Sequence, residues 1–400
     1  MSKSATNENL FIRIAKYLFP WKGDKIGEII RKLVFIAAAV VLIVSVSLIL
    51  NDTLQRKQMN DQDQDLADQF HHLSDNNNNS NLNNSNSVTS DETSSTPSDS
   101  SNSEVEEEDP GVGTFDFDPR DVQEQFLPLL KQNPETIGWL TIQGTNTSKP
   151  WIDYVVMQTD DNDKYLNYNF YGQKKKSGAL FVDYDDKITP THEPGNIVVY
   201  GHNMASGEYF GNLPAYFNYG MKGRYGRKSD DPNDIDWYKT HPTVEFSTLY
   251  KTSTYKVFAC MMLNTEKEAG EVFNYYLKHN FKDRDDFNEY VGEILDRSTF
   301  YNPDVNVTYG DQLLTLSTCM WGYGKTDLRF VLFARETREG ESPEVDVSKA
   351  YANPNPKFYE LYYQIYDYTW EGRKWDKNLL LGYKEKDEEE DEISSNNSAY

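Results

Sequence analysis

Cys319 and Arg329 stand on either side of one sequence feature. An apolar run, residues 313–316 (LLTL), ends in Ser317, Thr318 and Cys319. A turn-rich stretch with Gly322, Gly324 and Asp327 follows, and Arg329 opens a second apolar run over residues 330–334. The pattern predicts strand, loop, strand, with a thiol ending the first strand and a guanidinium starting the second. Side by side, such strands would turn both groups toward one cavity. His202 is a third candidate, directly after the apolar run of residues 196–200 and flanked by Gly201 and Asn203. A thiol and an imidazole make a nucleophile with an acid–base partner: sulfur attacks a carbonyl and the imidazolium protonates the leaving amine. A guanidinium can donate to the oxyanion that develops. Taken singly, each has a plainer reading, Cys319 as a buried apolar residue and His202 as a structural or surface histidine. Only convergence in space would join them.

The remaining candidates are weaker. Cys260, in VFACMM, reads as a core cysteine, and a bridge to Cys319 would disable the thiol. His71 and His72 fall in a polar segment, His192 in a Thr-Pro loop, His241 before Pro242 and His279 in a polar helical stretch. None forms a spaced zinc motif with a cysteine, so neither a metal nor a cofactor is expected. Ser317, Thr318, Asn203, Trp321 and Tyr323 are candidates to contact substrate. Trp321 and Tyr323 read equally as residues packed beside the groove.

These groups need a frame. After Pro119 the chain predicts a helix over residues 121–131, shortened or bent by Pro128. Strands are predicted over residues 137–142, 151–156, 178–183, 196–200, 243–249 and 255–262, with Gly, Pro and Asn between them. A short helix is expected over 205–213. Apolar residues recurring at three and four predict one long helical region over 268–295. The expected fold is mostly β, an eight-stranded barrel on one core within residues 119–338, with the long helix before the Cys-bearing strand.

The two ends differ from this frame. Residues 33–50 (LVFIAAAVVLIVSVSLIL) carry no charge, and at 1.5 Å per residue span about 27 Å, enough for a membrane helix. Residues 1–32 hold Lys3, Arg13, Lys16, Lys22, Lys25, Arg31 and Lys32 against Glu8, Asp24 and Glu28. That excess predicts a cytoplasmic leader, a single-pass anchor in lipid over 33–50, and everything later outside the cell membrane. A cleaved signal peptide fits less well, because the apolar run is long and its cleavage signature poor. Residues 51–118 read as a disordered acidic tether. Within 51–110 there are 14 acidic residues against Arg56 and Lys57, half of the chain's net charge of -24. The acidity therefore says little about substrate, and with an external location it argues against nucleic acid. Residues 339–400 are rich in Tyr and Trp and then acidic. They read as an extension packed on the domain or as an interaction arm.

With the motifs assembled, the chain resembles a class B sortase of Gram-positive bacteria. The resemblance starts at YLFPWKGDK, skips the tether and resumes over about residues 121–336. It is carried by Trp139, Ile142, Gly144 and Thr145; by Ile152-Asp153-Tyr154, Asp161-Asn162 and Tyr165-Leu166; and by Gly178, Leu180-Phe181 and Asp183. Most specific are YGHNM at 200–204, TLSTC at 315–319, and Arg329-Phe330-Val331. The resemblance implies a sortase barrel and cysteine transpeptidation, with Cys319 as nucleophile beside His202 and Arg329. It implies surface proteins bearing an NPxTx-like or PxTG-like sorting signal as substrates. The acceptor would be an amine of a peptidoglycan precursor or stem peptide. Two departures stand out: the family's YPV is Tyr154-Val155 here, and the tether and C-terminal extension are not standard. The sequence shows no compact carboxylate cluster of the kind that binds calcium in some other sortases. The other readings are a cysteine peptidase that hydrolyses the same kind of motif and a non-catalytic wall-associated binding protein on a sortase barrel.

Overall fold

The computed structural model describes residues 10–84, 121–145, 147, 150–219, 231–320 and 327–382. They divide into two compact units, residues 1–66 and 67–400. In the first, α1 (Leu10–Leu18) precedes the start of α2 (Ile26–Asn84). The Lys32 ammonium donates to Asp24 at 2.6 Å and to the Lys16 carbonyl at 2.6 Å, which ties the two helices. The apolar stretch of α2 is long enough to cross a membrane, and none of it is buried. That is what a single-pass anchor presents, because lipid rather than protein would cover it.

The second unit holds a closed barrel. Its strands are β1 (Thr136–Ile142), β2 (Ile152–Met157), β3 (Leu180–Val182), β4 (Asn196–Tyr200), β5 (Thr243–Thr248), β6 (Thr252–Asn264), β8 (Leu313–Met320) and β9 (Leu328–Glu336), ordered β1-β2-β3-β4-β8-β9-β6-β5 around the wall. Pairing is antiparallel except for β2 with β3 and β4 with β8. β7 (Phe300–Tyr301) lies outside the barrel and pairs with β10 (Tyr351–Ala352). The central strands β4 and β8 are buried along nearly their whole length because both faces are covered, by the barrel interior and by the helix packed outside. That helix is α5 (Arg284–Arg297). The Asp283 side chain caps it by accepting from the Asp286 amide, and Phe287, Val291, Ile294 and Leu295 form its buried face. They join Val331 and Phe333 of β9 in one apolar cluster.

Several expectations change. As a description of the whole chain, mostly β is too strong, since α2 alone has 59 residues. The disorder expected from residue 51 onward does not hold for residues 51–84, which continue the helix. Local sequence explains this as far as residue 74. The Asn-Ser-rich run begins only near residue 75, and before it Ala67 and Phe70 are buried at helical spacing. Phe70 stacks on Trp139 of β1 with centroids 4.5 Å apart, and His71 Nε2 donates to Asp153 of β2 at 2.9 Å. The rest of the expected tether lies outside the described residues.

The long helical region also shortens, to α5 alone. Gly270, at φ +119, breaks any earlier helix, and short 3-10 turns at Lys267–Ala269 and Tyr275–Leu277 take its place. Pro128 begins α3 (Leu127–Gln132) instead of bending it. No helix forms over 205–213; a 3-10 turn at Leu213–Tyr216 follows instead. Two further helices, α6 (Glu360–Tyr366) and α7 (Lys377–Leu380), belong to the C-terminal extension, whose residues from 383 lie outside the described ones.

Candidate active site

Three neighbouring strands carry the three candidate groups. β8 and β9 pair antiparallel with Cys319 opposite Arg329, so both side chains leave the same face of the sheet. On the other side of β8, parallel β4 pairs Tyr200 with Ser317, so the chain leaving β4 runs beside Thr318 and Cys319. This junction is laced shut. The Gly201 amide donates to the Ser317 carbonyl at 3.2 Å, and the Thr318 hydroxyl to the Gly201 carbonyl at 2.7 Å. The Asn203 carboxamide donates to the Cys319 carbonyl at 2.6 Å. Gly201 has no room for a side chain, since a Cβ there would sit 2.4 Å from Leu180 and 2.6 Å from Phe210. His202, Cys319 and Arg329 all line one open groove of about 400 Å³, and each is half-buried.

His202 is oriented by a bond from its Nε2 to the Leu166 carbonyl, 2.8 Å long. A carbonyl oxygen only accepts, so Nε2 carries the hydrogen and Nδ1 is the nitrogen left to exchange a proton. Beside it, the Tyr200 hydroxyl donates to Asp183 at 2.7 Å. Burial, then neighbouring Tyr275 and Asp183, hold that hydroxyl well above the usual tyrosine range, so it stays protonated. Opposite, the Tyr275 and Ser317 hydroxyls bond at 2.6 Å in a buried contact. Burial pushes the Tyr275 hydroxyl up to about 12, although Ser317 and the Arg329 charge pull the other way.

The sequence candidates separate on this geometry. Ser317 and Thr318 line the groove, each with its hydroxyl engaged as described. Asn203, expected to touch substrate, is not among the groove-lining residues; its side chain braces the Cys319 backbone instead. Trp321 and Tyr323 lie outside the described residues. Cys260 is fully buried, within 3.2 Å of the Thr299 hydroxyl. Sequence reasoning missed Asn162 and Leu166, and the wall made by Asn264, Phe273, Tyr275 and Tyr276. The adjacent tyrosines at 275–276 are a signal, but the helical reading takes only Tyr276, with Phe273 and Leu277, onto its apolar face.

Asp183, Asp185 and His279 come together with ligand atoms within 4.8 Å of one another, because the turn after β3 meets the connection before α5. Two of the three side chains already serve the fold. Asp183 accepts from Tyr200 and Asn162, and His279 is bonded to buried Asp186 at 2.6 Å.

Comparison with known proteins gives the family. The sortase domain family matches residues 140–337. Sortase B of Listeria monocytogenes is 30% identical over 199 residues, which cover 50% of this chain and 68% of the relative. The chain belongs to the class B sortase family. Sortase B of Staphylococcus aureus is 27% identical over 214 residues, covering 54% of this chain and 75% of the relative. The solved S. aureus sortase B–substrate complex matches with a TM-score of 0.43 at 27% identity, over 54% of this chain and 85% of that one. This sortase is accordingly a cysteine transpeptidase of the class B type. The family match stops at residue 337, so the C-terminal extension falls outside it.

Proposed function

We propose that this sortase anchors surface proteins, using Cys319 as nucleophile, His202 as acid–base group and Arg329 as oxyanion or substrate-orienting donor. The Cys319 thiol passes its proton to His202 Nδ1, and the sulfur attacks the carbonyl of a C-terminal sorting motif, commonly after a threonine in an NPxTx-like signal. A C–S bond forms, the scissile C–N bond breaks, and the leaving amine takes its proton from His202 Nδ1. An amine of a peptidoglycan precursor or stem peptide then attacks the thioester. It gives a proton to His202 as the C–S bond breaks, and His202 returns that proton to the freed sulfur. The thioester keeps the energy of the peptide bond, so the exchange runs without ATP. The apolar stretch of α2 would hold the enzyme in the cell membrane with its leader inside and the barrel outside.

The observation that carries this reading is the strand register: Cys319 opposite Arg329 on adjacent strands, with Gly201–His202 alongside, all three groups lining one groove. Product analysis tests it. The full chain in detergent micelles is given an NPxTx peptide library with and without diaminopimelate, lysine or triglycine, and products are read by mass. Transfer predicts an amine-linked product that replaces the free acid as amine is added. Free acid alone at every amine concentration would identify a peptidase instead.

A further inference from the structure

The C-terminal extension, outside the family match, is packed against the irregular wall of the groove. That wall is the lip, residues 265–277, which brings Phe273, Tyr275 and Tyr276 to the groove. Lys357 of the extension pairs with Glu271 of the lip at 3.1 Å and with Glu293 of α5 at 3.4 Å. Its ammonium also lies over the Trp370 ring, 5.3 Å from the centroid, and the Lys357 side chain is only 18% exposed. Glu271 is 3.6 Å from Arg297, and the Arg297 guanidinium covers the Phe273 ring at 4.9 Å. Contact therefore runs from Lys357 through Glu271 and Arg297 to a groove-lining aromatic.

A second contact closes the same interface. Glu360 packs on Gly270 so tightly that a Cβ on the glycine would lie 2.9 Å from the Glu360 backbone nitrogen. Between lip and extension is a cavity of about 140 Å³, and Leu263 and Asn264 line both it and the catalytic groove. The Asn264 carboxamide donates to the Glu266 and Gly270 carbonyls, so the wall shared by the two spaces also holds the lip. The extension is itself anchored away from the lip. Arg373 grips Asp296 of α5 through two bonds of 2.8 Å, and Trp375 Nε1 donates to the same carboxylate at 2.7 Å.

We propose that the extension is a positioning element of the sortase groove, with Lys357 as the contact that holds the lip where it receives the sorting peptide. The proposal rests on the groove reading above. It assigns the extension to peptide binding, while the chemical step stays with β4, β8 and β9. Lys357 does not line the catalytic groove and acts through Glu271 and Arg297.

The test uses the full chain in micelles and the NPxTx library peptide that it cleaves fastest. Lys357→Met keeps the stem and removes the charge. It is expected to raise KM about three- to fivefold, the range of one partly exposed ion pair, with kcat within about twofold of the parent. Lys357→Arg is expected to restore KM. Glu271→Gln should give the same rise from the lip side, and the double variant no more than either alone. In a Cys319→Ala background, the dissociation constant for the same peptide should rise by the same factor. Unchanged KM and unchanged peptide affinity in Lys357→Met would overturn the proposal, as would a fall in kcat with KM unchanged. The binding arm needs no chemistry, so the two readings fail separately. Full cleavage by Cys319→Ala sinks the active-site assignment, whereas equal affinities sink the positioning role.

Discussion

Two of the walls of the groove are held by different forces. One is the β8–β9 pair, in continuous register from Leu313 opposite Arg335 to Met320 opposite Leu328, which sets Cys319 against Arg329. The other is the lip, which has no ladder. It is held by the Tyr275–Ser317 bond, by Tyr290 donating to the Tyr275 carbonyl, by Asn264 on Gly270 and by Lys357 on Glu271. A ladder fixes many backbone positions together, while a handful of side-chain bonds can be lost one at a time. Damage to the regular wall should therefore strike the reaction or the whole fold, and damage to the lip should strike peptide affinity.

The largest effect is expected from Cys319→Ala. It should lower kcat by at least about 10⁴-fold, with thermal unfolding unchanged, since the nucleophile is removed and the ladder is not. Arg329→Lys keeps a charge at the same register position but loses the planar fork. Its expected cost is about 10²- to 10³-fold in kcat, measured at saturating peptide.

Glu341→Gln attacks the far end of the same wall. Arg335 of β9 is fully buried and donates to both Glu341 oxygens at 2.7 Å, while Lys256 reaches one of them at 2.8 Å. Burial pushes the Glu341 carboxyl up, but Arg335, Lys256 and the Arg338 amide outweigh it and hold the group well below its ordinary value of 4.5. A depressed carboxylate stabilises the fold above its unfolded value and loses that contribution as pH falls toward the folded one. Glu341→Gln should therefore cost about 2 kcal/mol at neutral pH by denaturant titration. The gap to the parent should narrow steadily below about pH 4.5. A gap that widened in acid would reverse the sign of this account.

The smallest effect is reserved for the lip. Tyr275→Phe leaves the Ser317 hydroxyl without its partner, a loss of about 1 kcal/mol. It is expected to appear as a severalfold rise in KM, with the rate of Cys319 alkylation by iodoacetamide unchanged. A slower alkylation would mean that the two walls are coupled after all.

The same division explains what the sequence made legible. The strands around Cys319, Arg329 and His202 are short apolar runs bounded by turn residues, so the barrel and its three candidate groups could be read in order. What it did not carry was contact between distant segments. Phe273, Tyr276 and Leu277 recur at helical spacing, yet Gly270 breaks the helix and the tyrosines turn to Ser317 and the groove. Nothing local to Asn203 marks it as a brace for a backbone carbonyl 116 residues away. Acidic composition likewise hid the helix beyond residue 50, because one phenylalanine stacked on Trp139 counts for little in a segment average. The roles of Glu271 and Lys357 depend on a pairing 86 residues apart, which no local pattern records.

The most direct measurement is the mass of the enzyme caught in mid-reaction. The full chain is mixed with its fastest-cleaved peptide, quenched in acid within milliseconds to seconds, and digested for mapping. The expected adduct equals the N-terminal peptide fragment, is attached to Cys319, is released by added amine and is absent from Cys319→Ala. An adduct mapped to any other residue, or cleavage at full rate with no adduct at Cys319, would contradict it.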